Sequence, residues 1–487
     1  MLGELFTATL RRHADRVAVA DSLTSVTYTQ LDGRARVAEE AVRPFGAERG
    51  THVGIRASNS VSYVTVYCAL LRAGCVPFLI DASLGSSEIS MIIKDCALEL
   101  ILTDGDLDLP DGEAIRVGSV EHLQVHRLIR TTPRPELLDS TAVCRFTSGS
   151  TGRPTCIEFS ATAVENAARN WAEGTGLGAD DGIACFAALS NGLAFNTSLL
   201  AAFLVGARLH LSQGLPTAGR VRRLVDDTGA TRLVAFPALY ESVARHRGSG
   251  PDAGADLARA FRRVKVAISS AAPLRPEIRA RFTELTGVPV SDYYGTAETG
   301  PLTYSVTDRT GGALGEPLPG VQVRAGTSAD APGPITVRSA SMGSRYLNEN
   351  DQFAARIDAD GFYRTGDSGY LGEHGLVLVG RTNRMINVAG RKIDPLEVAA
   401  VLQEFPGVRD AFVLEAPDRR GDPALAAVFV GDAGVTSADL RHHVAARLAR
   451  YKVPALLRAV PAVPRGSTGK PSLTGVLDLL AHKESAH

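Results

Sequence analysis

The run Phe146-Thr147-Ser148-Gly149-Ser150-Thr151-Gly152-Arg153-Pro154 concentrates hydroxyls and glycines directly after a strand-like stretch. Glycines let backbone N–H groups approach an anion, and Ser and Thr hydroxyls add donors suited to phosphate oxygens. An ordinary loop has the same composition, so both readings stand at this point. The Walker pattern (Gly, four residues, then Gly-Lys-Ser/Thr) does not match. The sequence Arg465-Gly466-Ser467-Thr468-Gly469-Lys470 comes nearer, but Pro464 stands where the first Gly is required. A kinase or P-loop nucleotidase is therefore a poor reading. In a polar, Gly/Ser-rich loop a lysine such as Lys470 is ordinarily a solvated surface residue.

Other segments follow in order. They are Val26-Thr27-Tyr28-Thr29-Gln30-Leu31, Leu70-Leu71-Arg72-Ala73-Gly74, the loop above, and Ala271-Ala272-Pro273-Leu274. Then come Tyr293-Tyr294-Gly295-Thr296-Ala297-Glu298, Tyr363-Arg364-Thr365-Gly366-Asp367, Gly380-Arg381, Gly390-Arg391-Lys392-Ile393 and Pro464-Arg465…Lys470. Together, over nearly the whole chain, they resemble the adenylate-forming superfamily: acyl- and aryl-CoA synthetases, peptide-synthetase adenylation domains and luciferases. The resemblance is nearest to the stand-alone acyl and aryl acid ligases. It implies an ATP-dependent enzyme that converts a carboxylic acid to an acyl-adenylate with release of pyrophosphate. Transfer of the acyl group to CoA or to a carrier protein's phosphopantetheine thiol would follow.

The resemblance also assigns roles. Thr147, Ser148, Gly149, Ser150, Thr151 and Gly152 would hold the phosphates. Ala271, Ala272 and Pro273 would form one wall of an adenine slot, and Tyr293, Tyr294, Gly295 and Thr296 the other, with Tyr294 stacking. Asp292 would accept from the adenine amino group. Asp367 would accept the ribose hydroxyls and Arg381 would donate nearby. Glu298 would hold Mg²⁺, a hard cation that seeks oxygen. Lys470 would sit between the attacking carboxylate and the α-phosphate, where a cation offsets repulsion most in the transition state. Lys470, Glu298 and Thr151 form the implied catalytic set. Asn383 falls at the family's hinge, about which a small domain rotates between half-reactions.

Two departures stand out. Where the family's loop usually continues Pro-Lys-Gly, this chain has Pro154-Thr155-Cys156, so a cation near the β- and γ-phosphates is missing. Weaker ATP binding is the expectation. Asn191 aligns where a His or an aromatic often gates the acyl pocket, and Leu193 where α-amino-acid enzymes carry an Asp. An α-amino acid is therefore disfavoured. Asn191, Phe195, Asn196, Phe236, Ser270, Gly295 and Thr296 are the expected pocket walls, suited to a substituted benzoate or cinnamate or another small acyl acid.

The elements that must position these residues follow from periodicity. Strand-like runs at His52–Ile55, Cys75–Ile80, Ala142–Phe146, Ile183–Ala188, Ala207–Leu211, Arg232–Phe236 and Val264–Ser269 alternate with helical patterns such as Val61–Arg72. That alternation predicts an α/β fold with a large N-terminal domain of layered, mostly parallel sheets. After about Arg381 the texture changes. Val398, Val401, Leu402 and Phe405 share one helical face, two strand-like runs follow at Ala411–Leu414 and Ala424–Val430, and another helix begins at Ser437. The expected division is residues 1–382, an ATP- and acid-binding core, and 383–487, a small mobile α+β domain carrying Lys470.

Bulk properties bound the remaining classes. The chain has 487 residues and a formal net charge of -1, which gives no electrostatic reason to expect nucleic acid or an anionic membrane as partner. Apolar stretches are too short to span a bilayer, and the first residues lack a secretory pattern, so the expected location is cytoplasmic. The six cysteines form no CxxC pair and read as buried reduced thiols. Two other functions remain open. One keeps the ATP-to-AMP chemistry with an unusual partner, an amine or nitrite; the other is a non-catalytic homologue that binds nucleotide or acid.

Overall fold

The computed structural model describes residues 9–107, 109, 113–129, 132–147, 154–246, 253–270, 274–305, 312–381, 386–388, 391–393, 395–417, 423–448, 452–466 and 471–481. Ser148–Arg153, Ala271–Pro273, Asn383 and Lys470 lie outside these residues. Two compact units emerge: Met1–Val323 with Thr336–Tyr363 and Glu373–Leu376, and Arg324–Ile335 with Arg364–Gly372 and Val377–His487.

The first unit contains two large sheets. One has nine described strands, and its centre is parallel: Gly182–Cys185 pairs with Arg232–Ala235, that strand with Val266–Ser269, and that one with Val290–Thr296. The other has eight, with His52–Arg56 parallel to Val76–Ile80 and to Leu100–Thr103. Val76–Ile80 is buried at every position, as expected of a strand covered on both faces. The alternating runs of the sequence thus become the expected α/β layers. Thr141–Phe146 and Cys156–Ser160 instead close an antiparallel hairpin that the parallel reading did not anticipate.

Two of the family-like segments are architectural. Thr27 caps the helix Tyr28–Val42: its hydroxyl accepts from the Gln30 N–H at 3.2 Å while the Gln30 side chain accepts from the Thr27 N–H at 2.9 Å. This reciprocal pair satisfies two otherwise unpaired amides at the helix start. The buried Tyr28 hydroxyl donates toward the carbonyls of Ala202 and Ala207, at 3.0 and 2.8 Å. Leu70 to Gly74 ends the helix Val61–Arg72, and Gly74 takes φ +76°, a left-handed conformation that costs glycine little.

The second unit is built around Pro423–Gly431, antiparallel to Val408–Pro417 and parallel to Leu456–Ala459. Leu425, Ala427 and Phe429 pack on one face with Val398, Val401, Leu402 and Leu440; Ala426 and Val428 pack on the other with Val476. Period-two alternation delivers side chains to both faces, so this central strand must be apolar throughout. The helices Pro395–Gln403 and Ser437–Arg447 coincide with the helical patterns read from the sequence.

Candidate active site

Four neighbouring parallel strands of the nine-stranded sheet deliver candidate residues at their carboxyl ends. Asn191 lies in the connection after Gly182–Cys185, Phe236 follows Arg232–Ala235, Ser270 follows Val266–Ser269, and Tyr293 to Thr296 end Val290–Thr296. In open α/β sheets, ligands bind in the crevice outside the carboxyl ends of the strands. The expected pocket residues, scattered over more than a hundred positions, therefore meet at one edge for a topological reason.

Each candidate has a local cause. Thr147 closes the hairpin that carries the glycine-hydroxyl loop: its N–H donates to Thr155 O at 3.0 Å, and the Thr155 N–H returns to Thr147 Oγ1 at 3.4 Å. The position lacking the family's lysine is thus the rung at the base of that loop. Asn191 caps a helical stretch, its Oδ1 accepting from the Leu193 N–H at 2.9 Å. The stretch begins as Gly192–Ala194, widens to a π-helix at Phe195–Leu200 and returns to α at Ala201–Val205. Such π segments are rare and cluster at functional sites. Phe195 is fully buried, edge-on to Tyr67, and Asn196 is fully buried with neither amide atom hydrogen-bonded among the described residues.

The motif Tyr293-Tyr294-Gly295-Thr296-Ala297-Glu298-Thr299-Gly300 forms a bulged antiparallel turn. A Cβ on Gly295 would lie 2.3 Å from Gly300 O, and Gly300 itself has φ +70°, so both positions require glycine. Tyr293 packs edge-on against Trp171 of the helix Ala161–Thr175, and Tyr294 is buried beside it. Asp292 is held by Arg279, whose Nη2 donates to both carboxylate oxygens at 2.7 Å.

Glu298 is positioned by residues the sequence reading missed. Tyr346 donates its hydroxyl to Glu298 Oε1 at 2.8 Å, Tyr363 stands 3.1 Å from Tyr346, and Arg356 Nη1 donates to the Tyr363 hydroxyl at 3.4 Å. Phe353 packs against both tyrosine rings. Burial, reinforced by the Glu298 charge, raises the Tyr346 phenol well above its usual range and pushes Tyr363 up to about 12. Tyr346 therefore stays protonated and donates. Glu298 is half-buried, and its Oε2 has no protein partner among the described residues. One anchored and one open carboxylate oxygen suit a hard cation carried in with phosphates. The only sequence signal for this relay was Tyr363 itself, within the Tyr-Arg-Thr-Gly-Asp segment.

In the second unit Asp367 is buried, with its N–H donating to Thr365 Oγ1 at 3.1 Å. Arg381 ends the neighbouring strand, Gly375–Arg381.

Residues 6–347 match the model of the AMP-binding enzyme family, and 397–470 match the AMP-binding enzyme C-terminal domain. The chain belongs to the AMP-binding enzyme family. It is accordingly an AMP-forming ligase by class, as the ordered segments implied. It is 27% identical to 3-hydroxybenzoate–CoA ligase of Aromatoleum sp. (strain CIB), over 94% of this chain and 92% of that one. It is 24% identical to the 3-hydroxybenzoate–CoA/4-hydroxybenzoate–CoA ligase of Thauera aromatica, over 96% and 94%. The fold matches ATP-bound MatB from Rhodopseudomonas palustris with a TM-score of 0.79 at 21% identity, covering 98% of this chain and 99% of that one. Among the described residues no helix is long and apolar enough to cross a membrane. All six cysteines are buried and free, and burial raises their thiols, so Cys156 beside the loop is no nucleophile.

Proposed function

We propose that this member of the AMP-binding enzyme family activates a small aryl or short acyl acid as its adenylate and passes the acyl group to a thiol, in the cytoplasm. The observation that carries the reading is the convergence of the pocket residues, Tyr294 and Glu298 at the carboxyl ends of adjacent parallel strands. The two relatives named for hydroxybenzoates favour an aryl acid.

In the first half-reaction a carboxylate oxygen attacks the α-phosphorus of ATP, the bond to the bridging oxygen breaks, and pyrophosphate leaves. Hydroxyls and amides of Thr147 to Gly152 orient the phosphates, Tyr294 stacks on adenine, and Asp292 accepts from its amino group. Asp367 accepts from the ribose and Arg381 donates beside it. Lys470 neutralises the approach of two anions, an effect largest in the transition state. Glu298 would hold Mg²⁺, which would supply charge screening on the triphosphate. In the second half-reaction a thiolate attacks the acyl carbon and AMP leaves, the thiol proton having passed to solvent. We assign ATP and acid binding to a core of residues 1–382, with residues 383–487 carrying Lys470 and turning about Asn383 between the two half-reactions. The acceptor is CoA or a carrier-bound phosphopantetheine.

The test is acid-dependent pyrophosphate release from Mg-ATP over aryl, aliphatic and amino acids, with and without CoA. Release that needs one acid class, yields AMP and falls on the order of 100-fold or more in Lys470→Ala is the expected outcome. Nucleotide binding without release from any acid would replace the reading with that of a non-catalytic binder.

A further inference from the structure

Arg145, on the strand Thr141–Phe146 two residues before Thr147, is only 3% exposed. Its guanidinium lies 4.1 Å from the centre of the Phe159 ring and 5.4 Å from that of Phe195. Among the described residues it makes no hydrogen bond and no ion pair, and its buried Nε is unpartnered. Arg232, the other arginine buried among the described residues, pairs with Asp181 at 3.1 Å although its Nη1 has no partner, and the half-buried Arg345 pairs with Glu158 at 2.5 Å. Flanking aromatic faces recover part of the desolvation cost of a cation, yet an unsatisfied buried charge is uncommon because no water replaces the lost partners.

The surroundings of Arg145 belong to the candidate active site. A Cβ on Gly192 would lie 2.5 Å from Arg145 Nη1, so the glycine leaves the guanidinium room beside the helix that Asn191 caps. One turn further along stands Asn196, whose amide is buried and unpartnered on both atoms. Tyr293 interacts electrostatically with Arg145, and its hydroxyl would lie 2.9 Å from a Cβ on Gly295. Burial lowers the Arg145 guanidinium only to about 10, so it remains charged at neutral pH. A guanidinium and an amide with unpartnered buried atoms among the described residues, and a phenol coupled electrostatically to the guanidinium, thus border the candidate site.

We propose that Arg145 recognises an anionic group on the substrate, and that the acid activated by this protein carries a second carboxylate. The proposal rests on the acid-ligase reading above and narrows its substrate class. A planar guanidinium fork matches a carboxylate in two parallel hydrogen bonds, and Asn196 and the Tyr293 hydroxyl supply further donors. Selectivity is strong in such a case, because a neutral analogue leaves the buried donors unpaired.

Short aliphatic and benzene dicarboxylic acids would each be compared with their monomethyl esters, reading kcat/KM from pyrophosphate release. The wild-type protein is expected to favour a diacid over its ester on the order of 100-fold. Arg145→Met is expected to bring that ratio close to one, and Arg145→Lys to restore part of it. A wild-type preference for esters or simple monoacids, or a ratio unchanged in Arg145→Met, overturns the assignment while leaving the acid-ligase reading intact. Silence from every acid overturns the reading beneath it. If Arg145→Met loses its thermal unfolding transition, the ratio is read in Tyr293→Phe, which removes one hydroxyl. A several-fold fall there upholds the proposal, and no change overturns it.

Discussion

Glu298 and Tyr346 meet across 48 residues of chain, and the hydrogen bond between them fixes which carboxylate oxygen stays open. Groups that orient a metal-binding carboxylate commonly change metal affinity 10- to 100-fold when removed. Tyr346→Phe keeps the ring against Phe353 and removes only the donor. We expect it to raise the Mg²⁺ concentration for half-maximal pyrophosphate release by about tenfold, with little loss of folded protein; an unchanged Mg²⁺ titration would contradict the proposed role of Glu298. Thr155 calls for the opposite experiment. Its backbone closes the hairpin rung with Thr147, and its half-buried side chain stands where the family carries a lysine. Thr155→Lys leaves the rung intact and is expected to lower the KM for ATP by about tenfold, the range of one charge-assisted hydrogen bond. Steady-state kinetics at saturating acid would check this, and a KM that does not move refutes it.

At the scale of elements, the helix Ala161–Thr175 supports the site from behind, with Trp171 edge-on to both Tyr293 and Tyr304. Its start depends on Ser160, whose hydroxyl accepts from the Ala163 N–H at 3.1 Å. Ser160→Ala is expected to cost about 1 kcal/mol, read as a shifted urea midpoint at constant m-value. The helix carrying Asn191 shows how element and site depend on one another. Sequence analysis picked out Asn191, Phe195 and Asn196 as pocket walls, yet the capping bond and the π segment were not legible. Asn191, expected as a pocket wall, has its Oδ1 engaged in the cap. A π turn has no composition of its own; it is imposed where packing on both sides decides how many residues fill a fixed length.

For the whole molecule, pH is the sharper probe of folding. His210 is buried with neither ring nitrogen hydrogen-bonded among the described residues, and burial, followed by the Arg208 charge, lowers it from 6.5 to about 4. Above pH 6.5 the ring is neutral in folded and unfolded chains alike, and its full contribution to stability is present. Between pH 6.5 and about 4 the unfolded chain binds a proton that the folded one refuses, so stability falls as pH drops, by about 3 kcal/mol over the window. Burial lowers His52 and His126 too, adding in the same direction. Urea midpoints at pH 7.5 and 4.5 should show this fall, and His210→Leu should flatten it; parallel falls in both proteins would assign the effect elsewhere.

The amino-acid sequence by itself determined the α/β layering, the apolar central strand of the second unit and, through the ordered segments, the family. These features are legible because they are local: caps, glycine turns and periodicity are each set within a few residues. The tertiary structure alone decided that Tyr346 and Tyr363 anchor Glu298, that Arg279 holds Asp292, and that Tyr28 braces two distant carbonyls. It also decided that Arg145 is buried with its Nε unpartnered among the described residues. The physical reason is that a side chain's partner is chosen by which surfaces pack together, and contacts across dozens or hundreds of residues leave no periodic trace in one sequence.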